Sequence, residues 1–243
     1  EPDESFFTNL GEAWASDGLE MISRKWTPER IQITFRADPV AAPVFVTARA
    51  KGRLDHALRK SGHPTAFSRR VGFRTLGENT SPVVLRYLAR QYDRADLADP
   101  KYIDQLRAAS WVNPDFNSAD PQPTGHGRYW FDLHMVLVTE GRFRIGRWIN
   151  PLDLRDAILE WGENLARTVN HTLSGHAQPG VKSLAVMHDH VHVAFRGHIS
   201  HSPHDMAGDL LTRLNRRAGC RVMQERIYVG SFSEYSVHAI SDL

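Results

Sequence analysis

Cysteine is almost absent from this sequence: Cys220 is the only one among 243 residues. A lone thiol excludes an intramolecular disulfide and any zinc finger built on paired thiolates. Nor is there a run of about 18 apolar residues, the length that a membrane-spanning helix needs, so no membrane partner is expected. No signal peptide is visible. The chain opens without an initiator Met, so residues upstream of Glu1 are expected. A formal net charge of only +2, with a pI near 8.8, makes no demand for a nucleic-acid partner in bulk; the distribution of charge is more telling. These absences point to a reduced, cytoplasmic protein. Apolar residues make up 41% of the chain, enough for a core in one large domain or two small ones.

Apolar spacing predicts a helix over 6–24, carried by Phe7, Leu10, Ala13, Trp14, Leu19, Met21 and Ile22. Ile31, Ile33 and Phe35 alternate as a strand over 30–36. A helix is expected over 44–60, a short strand over 71–75, and a helix over 83–92 with Thr80 or Ser81 as N-cap and Pro82 just inside. Residues 93–126 are polar and carry prolines, which reads as a surface linker with one helix near 101–109. Then follow a strand over 129–139, an amphipathic helix over 152–172, a second strand over 184–195, a helix opened by Ser202-Pro203, a short strand over 227–231 and a final helix.

The two halves are similar. Ile33-Thr34-Phe35-Arg36 stands 160 positions before Val193-Ala194-Phe195-Arg196. At the same offset Ala42-Pro43 matches Ser202-Pro203, and Arg53-Leu54 matches Arg213-Leu214. Matched element order at one offset predicts a duplication. The fold class expected is α+β, with two antiparallel-sheet halves: residues 1–92, a linker over 93–126, and residues 127–243. The first half lacks a leading strand, which is expected upstream.

His190 and His192 stand two apart on a predicted strand. Period-2 geometry points both imidazoles to one face, where two nitrogens can meet one divalent metal. His188 falls on the same face as a candidate third ligand, and the strand is expected to be buried on both sides. Residues 186–193, Val-Met-His-Asp-His-Val-His-Val, resemble the metal strand of the HUH, IS200-type tyrosine transposases and their relatives associated with repeated extragenic palindromes. Leu133-His134-Met135-Val136-Leu137-Val138-Thr139 with Gly141-Arg142-Phe143-Arg144 is similar to that family's first strand and its basic follow-on. The resemblance implies ferredoxin-like halves packed as an internal pseudo-dimer, Mg²⁺ or Mn²⁺ on His190 and His192, and a metal that polarises a scissile phosphate. It further implies single-stranded or hairpin DNA as partner.

The family cuts DNA with a tyrosine on its last helix, and a Gln four residues later completes the metal site. An i, i+4 pair stands on one helical face. Leu85-Arg86-Tyr87-Leu88-Ala89-Arg90-Gln91 resembles that helix, so the resemblance assigns Tyr87 as nucleophile and Gln91 as a metal ligand. The first half has Arg30-Ile31-Gln32 where His-X-His should be. The second half has Ala239 in the tyrosine slot when Ser233 is aligned with Ser81, and Tyr235 falls about one turn early. A fused pair would keep one composite site, built from Tyr87 and Gln91 of the first half and His190 and His192 of the second, in a monomer.

Arg49, Lys51, Arg53, Arg59, Arg69, Arg70 and Arg74 in the first half, and Arg213, Arg216 and Arg217 in the second, are candidate phosphate contacts. Two other readings stay open. One is a domesticated binder of structured single-stranded DNA without catalysis. The other is a zinc hydrolase cluster of His188, His190 and His192.

Overall fold

The computed structural model describes residues 2–63, 67–91, 99–167 and 179–236. Its largest core is built by the second half. There β7 (Asp132–Val138), β8 (Gly180–Val186), β9 (His190–Arg196) and β10 (Tyr228–Phe232) pair antiparallel in the order β10-β7-β9-β8. Helices α5 (Pro151–Arg167) and α6 (Pro203–Ala218) cover one face. Leu154, Ala157, Ile158, Trp161 and Leu165 recur at three- and four-residue spacing, so α5 buries one stripe. Helix α6 starts at a capping box between Ser202 and Asp205 and stops at Gly219, whose φ of 70° suits the left-handed cap. The chain order is therefore βαββαβ, with the first and third strands central.

The first half repeats most of this order with one strand fewer among the described residues. Helix α1 (Glu4–Ala15), β1 (Leu19–Trp26), β2 (Ile31–Ala37), α2 (Pro43–Lys60), β3 (Val71–Arg74) and α3 (Ser81–Ala89) follow one another. Strands β1 and β2 form a hairpin packed on α1 and α2 through Phe7, Leu10, Trp14, Leu19, Val46, Leu54 and Leu58. With no counterpart of β7 beside it, β3 pairs instead in parallel with β6 (Gly127–Trp130), the stretch that runs into β7. The mixed helix and sheet content agrees with the α+β expectation.

Several local expectations need correction. The helix predicted over 6–24 ends at Ala15, and 19–26 is strand β1. Gly18, at φ 74°, makes the turn. The single strand predicted over 184–195 is a hairpin, β8 and β9, turned at Met187-His188-Asp189. Val191, Val193 and Phe195 share one face and sit in the main core. The segment 93–126 carries α4 (Pro100–Ala109), β4 (Trp111–Val112) and β5 (Gln122–Thr124) among its described residues. Tyr102, Leu106 and Ala109 of α4 enter the main core. Strand β4 extends the sheet beyond β8, and β5 pairs with β6. The end of the helix predicted over 152–172 and the final helix with Ala239 lie outside the described residues.

The halves also meet at the starts of α2 and α6. Val44 N donates to Ile199 O, and His204 N to Pro39 O, each at 3.1 Å. His198 is buried there, and its Nδ1 accepts from Ser200 N and faces His201 Nδ1 at 2.9 Å. Burial, and then the charge of His201, push the His198 pKa down to about 4. An unfolded histidine titrates near 6.5. Between these values the unfolded chain holds the extra proton, so acid favours unfolding. Thermal melting is expected to fall as pH drops from about 6.5 towards 4, and His198→Gln is expected to flatten that fall. An unchanged acid slope in the variant would refute the assignment.

Candidate active site

Strand β9 presents two chemistries on its two faces. Val191, Val193 and Phe195 point to α5 and α6, whereas Ala194 packs under α3. Helix α3 of the first half thus lies on the open face of the second half's sheet, with Val84 and Leu88 on Ala185, Ala194 and Phe232. The small side chains of Ala185 and Ala194 leave room for the helix there. The crossing that delivers α3 is equally tight. A Cβ on Gly77 would stand 2.0 Å from Ser231 O. Thr75 Oγ1 lies within hydrogen-bond reach of Trp130 O, Asp132 O and Phe232 O, and Ser81 N donates to Ser233 O at 2.6 Å.

Two of the candidate residues meet as a result. The Tyr87 ring stands edge-on to His192, with centroids 5.5 Å apart, and it is 6.5 Å from His134. Tyr87 remains 42% exposed, so its phenol is open to a ligand. The His190 and His192 rings are 4.9 Å apart. Gln91 is half of the expected pair only in spacing: its Nε2 donates to Tyr87 O at 3.2 Å, back onto its own helix. Tyr235 lies elsewhere, with the Arg74 guanidinium 5.2 Å from its ring. His188 is not beside the pair either. It sits in the β8–β9 turn with its ring 6.1 Å from Tyr102, because the turn takes it out of the strand's alternation.

The third imidazole at the site is His134 of β7. Its ring stacks on His192 at 5.2 Å, and His134 Nε2 lies 3.1 Å from His192 Nδ1. His190 Nδ1 is 2.7 Å from Asp189 Oδ1, and Asp189 Oδ2 holds Arg142 at 3.1 Å. Burial alone would raise the Asp189 carboxyl, but the hydrogen bonds of His190 and Arg142 hold it below its usual range. Burial, followed by the charges of His190 and His134, pushes His192 down to about 3. Burial pushes His134 down to about 4. His192 is therefore neutral near pH 7, as a metal ligand must be, and so is the His134 ring behind it.

Such donors fit a metal. His192 Nε2 is buried and makes no hydrogen bond. With Nδ1–H of His190 turned to Asp189 and Nδ1–H of His192 turned to His134, both Nε2 atoms carry lone pairs. An acceptor behind a ligating histidine fixes that tautomer, most often a carboxylate, carbonyl or water; Asp189 fills that place for His190 and the His134 ring for His192. Among the described residues, no group of three or more His, Cys, Asp and Glu side chains is gathered for a metal ion. A cation would thus have two protein nitrogens, the other positions going to water and phosphate oxygens. Oxygen donors suit Mg²⁺ and Mn²⁺ best, so most of the coordination of either ion would come from water and phosphate.

No family model matches this chain, and no curated protein matches it. What the site does is accordingly read from its geometry and chemistry.

The basic candidates are dispersed. Arg49 and Arg53 converge on Asp17, Arg59 pairs with Asp55, Arg74 with Glu234, Arg213 with Asp209 and Arg217 with Asp153. Lys51 bonds to Ser68 O. Arg69, Arg70 and Arg216 have no carboxylate partner among the described residues. Helix α6, with Arg213, Arg216 and Arg217, covers the sheet face opposite His192. The cation bonded closest to the histidines is Arg142, through Asp189. Sequence reading missed His134 as a site residue; its position two before Val136 in an alternating strand was the available signal.

Proposed function

We propose that this protein is a metal-dependent single-stranded DNA nicking and joining enzyme with one composite site in a monomeric chain. The observation that carries the reading is the Tyr87 ring 5.5 Å from His192, a contact between residues from opposite halves of the chain. The βαββαβ order of the second half supports the ferredoxin-like half that the resemblance implies, and the docking of α3 supports the pseudo-dimer. When bound at His190 and His192, Mg²⁺ or Mn²⁺ supplies charge that polarises the scissile phosphate. Tyr87 Oη attacks the phosphorus and loses its proton. The bond from phosphorus to the 3′ oxygen breaks, that oxygen gains a proton, and the 5′ phosphate stays on Tyr87. Attack by a 3′ hydroxyl reverses the step and joins strands. Asp189 and His134 hold the two ligand rings in place.

One observation favours a second reading, a binder of structured single-stranded DNA without catalysis: the Gln91 amide is bonded to its own helix. The zinc hydrolase reading loses its third ligand with His188. The deciding experiment is incubation with labelled hairpin DNA and Mn²⁺, followed by a denaturing gel and peptide mapping. A covalent adduct on the Tyr87 peptide is expected. An adduct on Tyr235, or none with DNA bound, would overturn the composite site.

A further inference from the structure

The loop that follows β7 has a composition and a shape that the catalytic reading leaves unused. Residues 139–150 place Phe143 and Trp148 on the surface, 40% and 37% exposed. Their rings meet edge to face with centroids 4.8 Å apart. The Arg147 guanidinium covers both, 4.3 Å from Phe143 and 5.0 Å from Trp148. Arg144 lies 3.4 Å over the Tyr102 ring. The loop is fixed from below: Ile145 and Ile149 are buried in the main core, Ile145 N donates to His188 O at 2.8 Å, and Tyr102 Oη donates to Ile145 O at 2.7 Å. Arg142, at φ 57°, is in the left-handed region that a side chain of its size occupies only when the surroundings demand it. Its ion pair with Asp189 supplies that demand and ties the loop to His190.

Phe143 and Trp148 both keep more than a third of their surface in solvent. Aromatic side chains are the largest apolar contributors to cores, and leaving two outside forgoes that burial. Arg142 pairs with Asp189 and Arg144 lies 3.7 Å from Asp99, so Arg147 is the arginine beside the rings that suits a ligand with both negative charge and flat faces. Arg147 has no carboxylate partner among the described residues. Duplex DNA offers phosphates but keeps its base faces stacked inside, whereas a single strand offers both.

We propose that the loop 139–150 is a base-stacking platform for single-stranded DNA beside the histidine pair. This deepens the nicking assignment and rests on it for the choice of DNA. The strand's bases stack on Phe143 and Trp148, Arg147 reaches its backbone, and Arg142 passes the strand to the edge of the His190 site.

The test is fluorescence anisotropy of labelled oligo-dT in EDTA, where no cleavage occurs. The doubly substituted Phe143→Ala, Trp148→Ala protein is expected to bind about tenfold more weakly, in line with the loss of base-to-ring stacking. Phe143→Leu with Trp148→Leu is expected to match it, and Phe143→Tyr with Trp148→Phe to bind like the parent. Duplex of the same length should bind equally to all of them. An affinity within twofold of the parent in the leucine protein, or an equal loss for duplex, would overturn the platform. Photo-crosslinking of iodouracil-substituted oligo-dT to the unaltered protein gives a check that does not depend on the variants folding: adducts are expected within 143–148, and adducts only elsewhere would count against the platform. Ring-dependent affinity without any Tyr87 adduct would overturn the nicking assignment and leave the platform standing.

Discussion

His192→Ala is expected to lower cleavage of hairpin DNA by about a hundredfold to a thousandfold, the loss typical of removing one preorganised group that stabilises developing charge. Binding of the same hairpin should change little. His192 is buried beside the Tyr87 ring and its Nε2 makes no hydrogen bond, whereas affinity for DNA comes chiefly from phosphate contacts made by cations. His190→Ala should behave alike. His134→Ala should keep part of the activity, since it removes only the group that orients His192. Single-turnover cleavage in Mn²⁺ beside gel-shift affinity separates these effects. Full cleavage by the His190→Ala, His192→Ala protein would remove the pair from the mechanism. A matching loss of affinity would move it from chemistry to binding.

What could be read in advance was local. That His190 and His192 bring their rings together needed only the period of one strand, whereas Tyr87 was singled out by resemblance to a family's helix. The capped start of α6 and the amphipathic stripe of α5 were equally visible. The structure departs from the reading where distant segments decide. His134 joins the site because β7 lies beside β9, which brings it to His192 across 58 positions of chain. Strand β1 was hidden because Leu19, Met21 and Ile22 continue the helical spacing of α1 by coincidence, and Asp17-Gly18 was the break that should have outweighed it. The β8–β9 turn has neither Gly nor Pro, so nothing punctuated it. His188 was carried into the wrong face by the assumption of an unbroken strand. The basic residues were read as phosphate contacts, but several face carboxylates, some of them from other elements, as Asp17 of the α1–β1 turn does for Arg53.

Removing the carboxylate of Asp132 is expected to be the most destabilising polar substitution in the protein, at about 3–5 kcal/mol, the cost of leaving buried partner charges unmatched. Asp132, Lys182 and Arg196 are each at most 2% exposed. Arg196 grips Asp132 through two bonds, 2.9 and 3.2 Å, and also bonds to Ser118 O and Asp120 O. Lys182 Nζ stands 2.7 Å from the same carboxylate and lies 4.0 Å from the Phe116 ring. Two cations thus share one anion. Burial is what pushes Lys182 down to about 8, against the pull of Asp132 and with the repulsion of Arg196. The surplus charge is therefore Lys182, and the two ends of the cluster should respond oppositely. Asp132→Ala should shift the urea midpoint far down with little change of slope. Lys182→Met should cost little or stabilise, since an apolar side chain of similar length replaces a charge that burial disfavours. The pH dependence carries the same sign: the unfolded lysine titrates near 10.4, so between about 8 and that value the unfolded chain holds more protons and stability gains from rising pH. Lys182→Met should abolish that gain. Because Asp132 also opens the strand that carries His134, and its backbone meets Thr75 at the crossing that delivers α3, Asp132→Ala should lose cleavage at temperatures where the parent is active. A urea midpoint close to the parent's in Asp132→Ala would show that the cluster is hydrated, and would sink the claim that its carboxylate offsets buried charge.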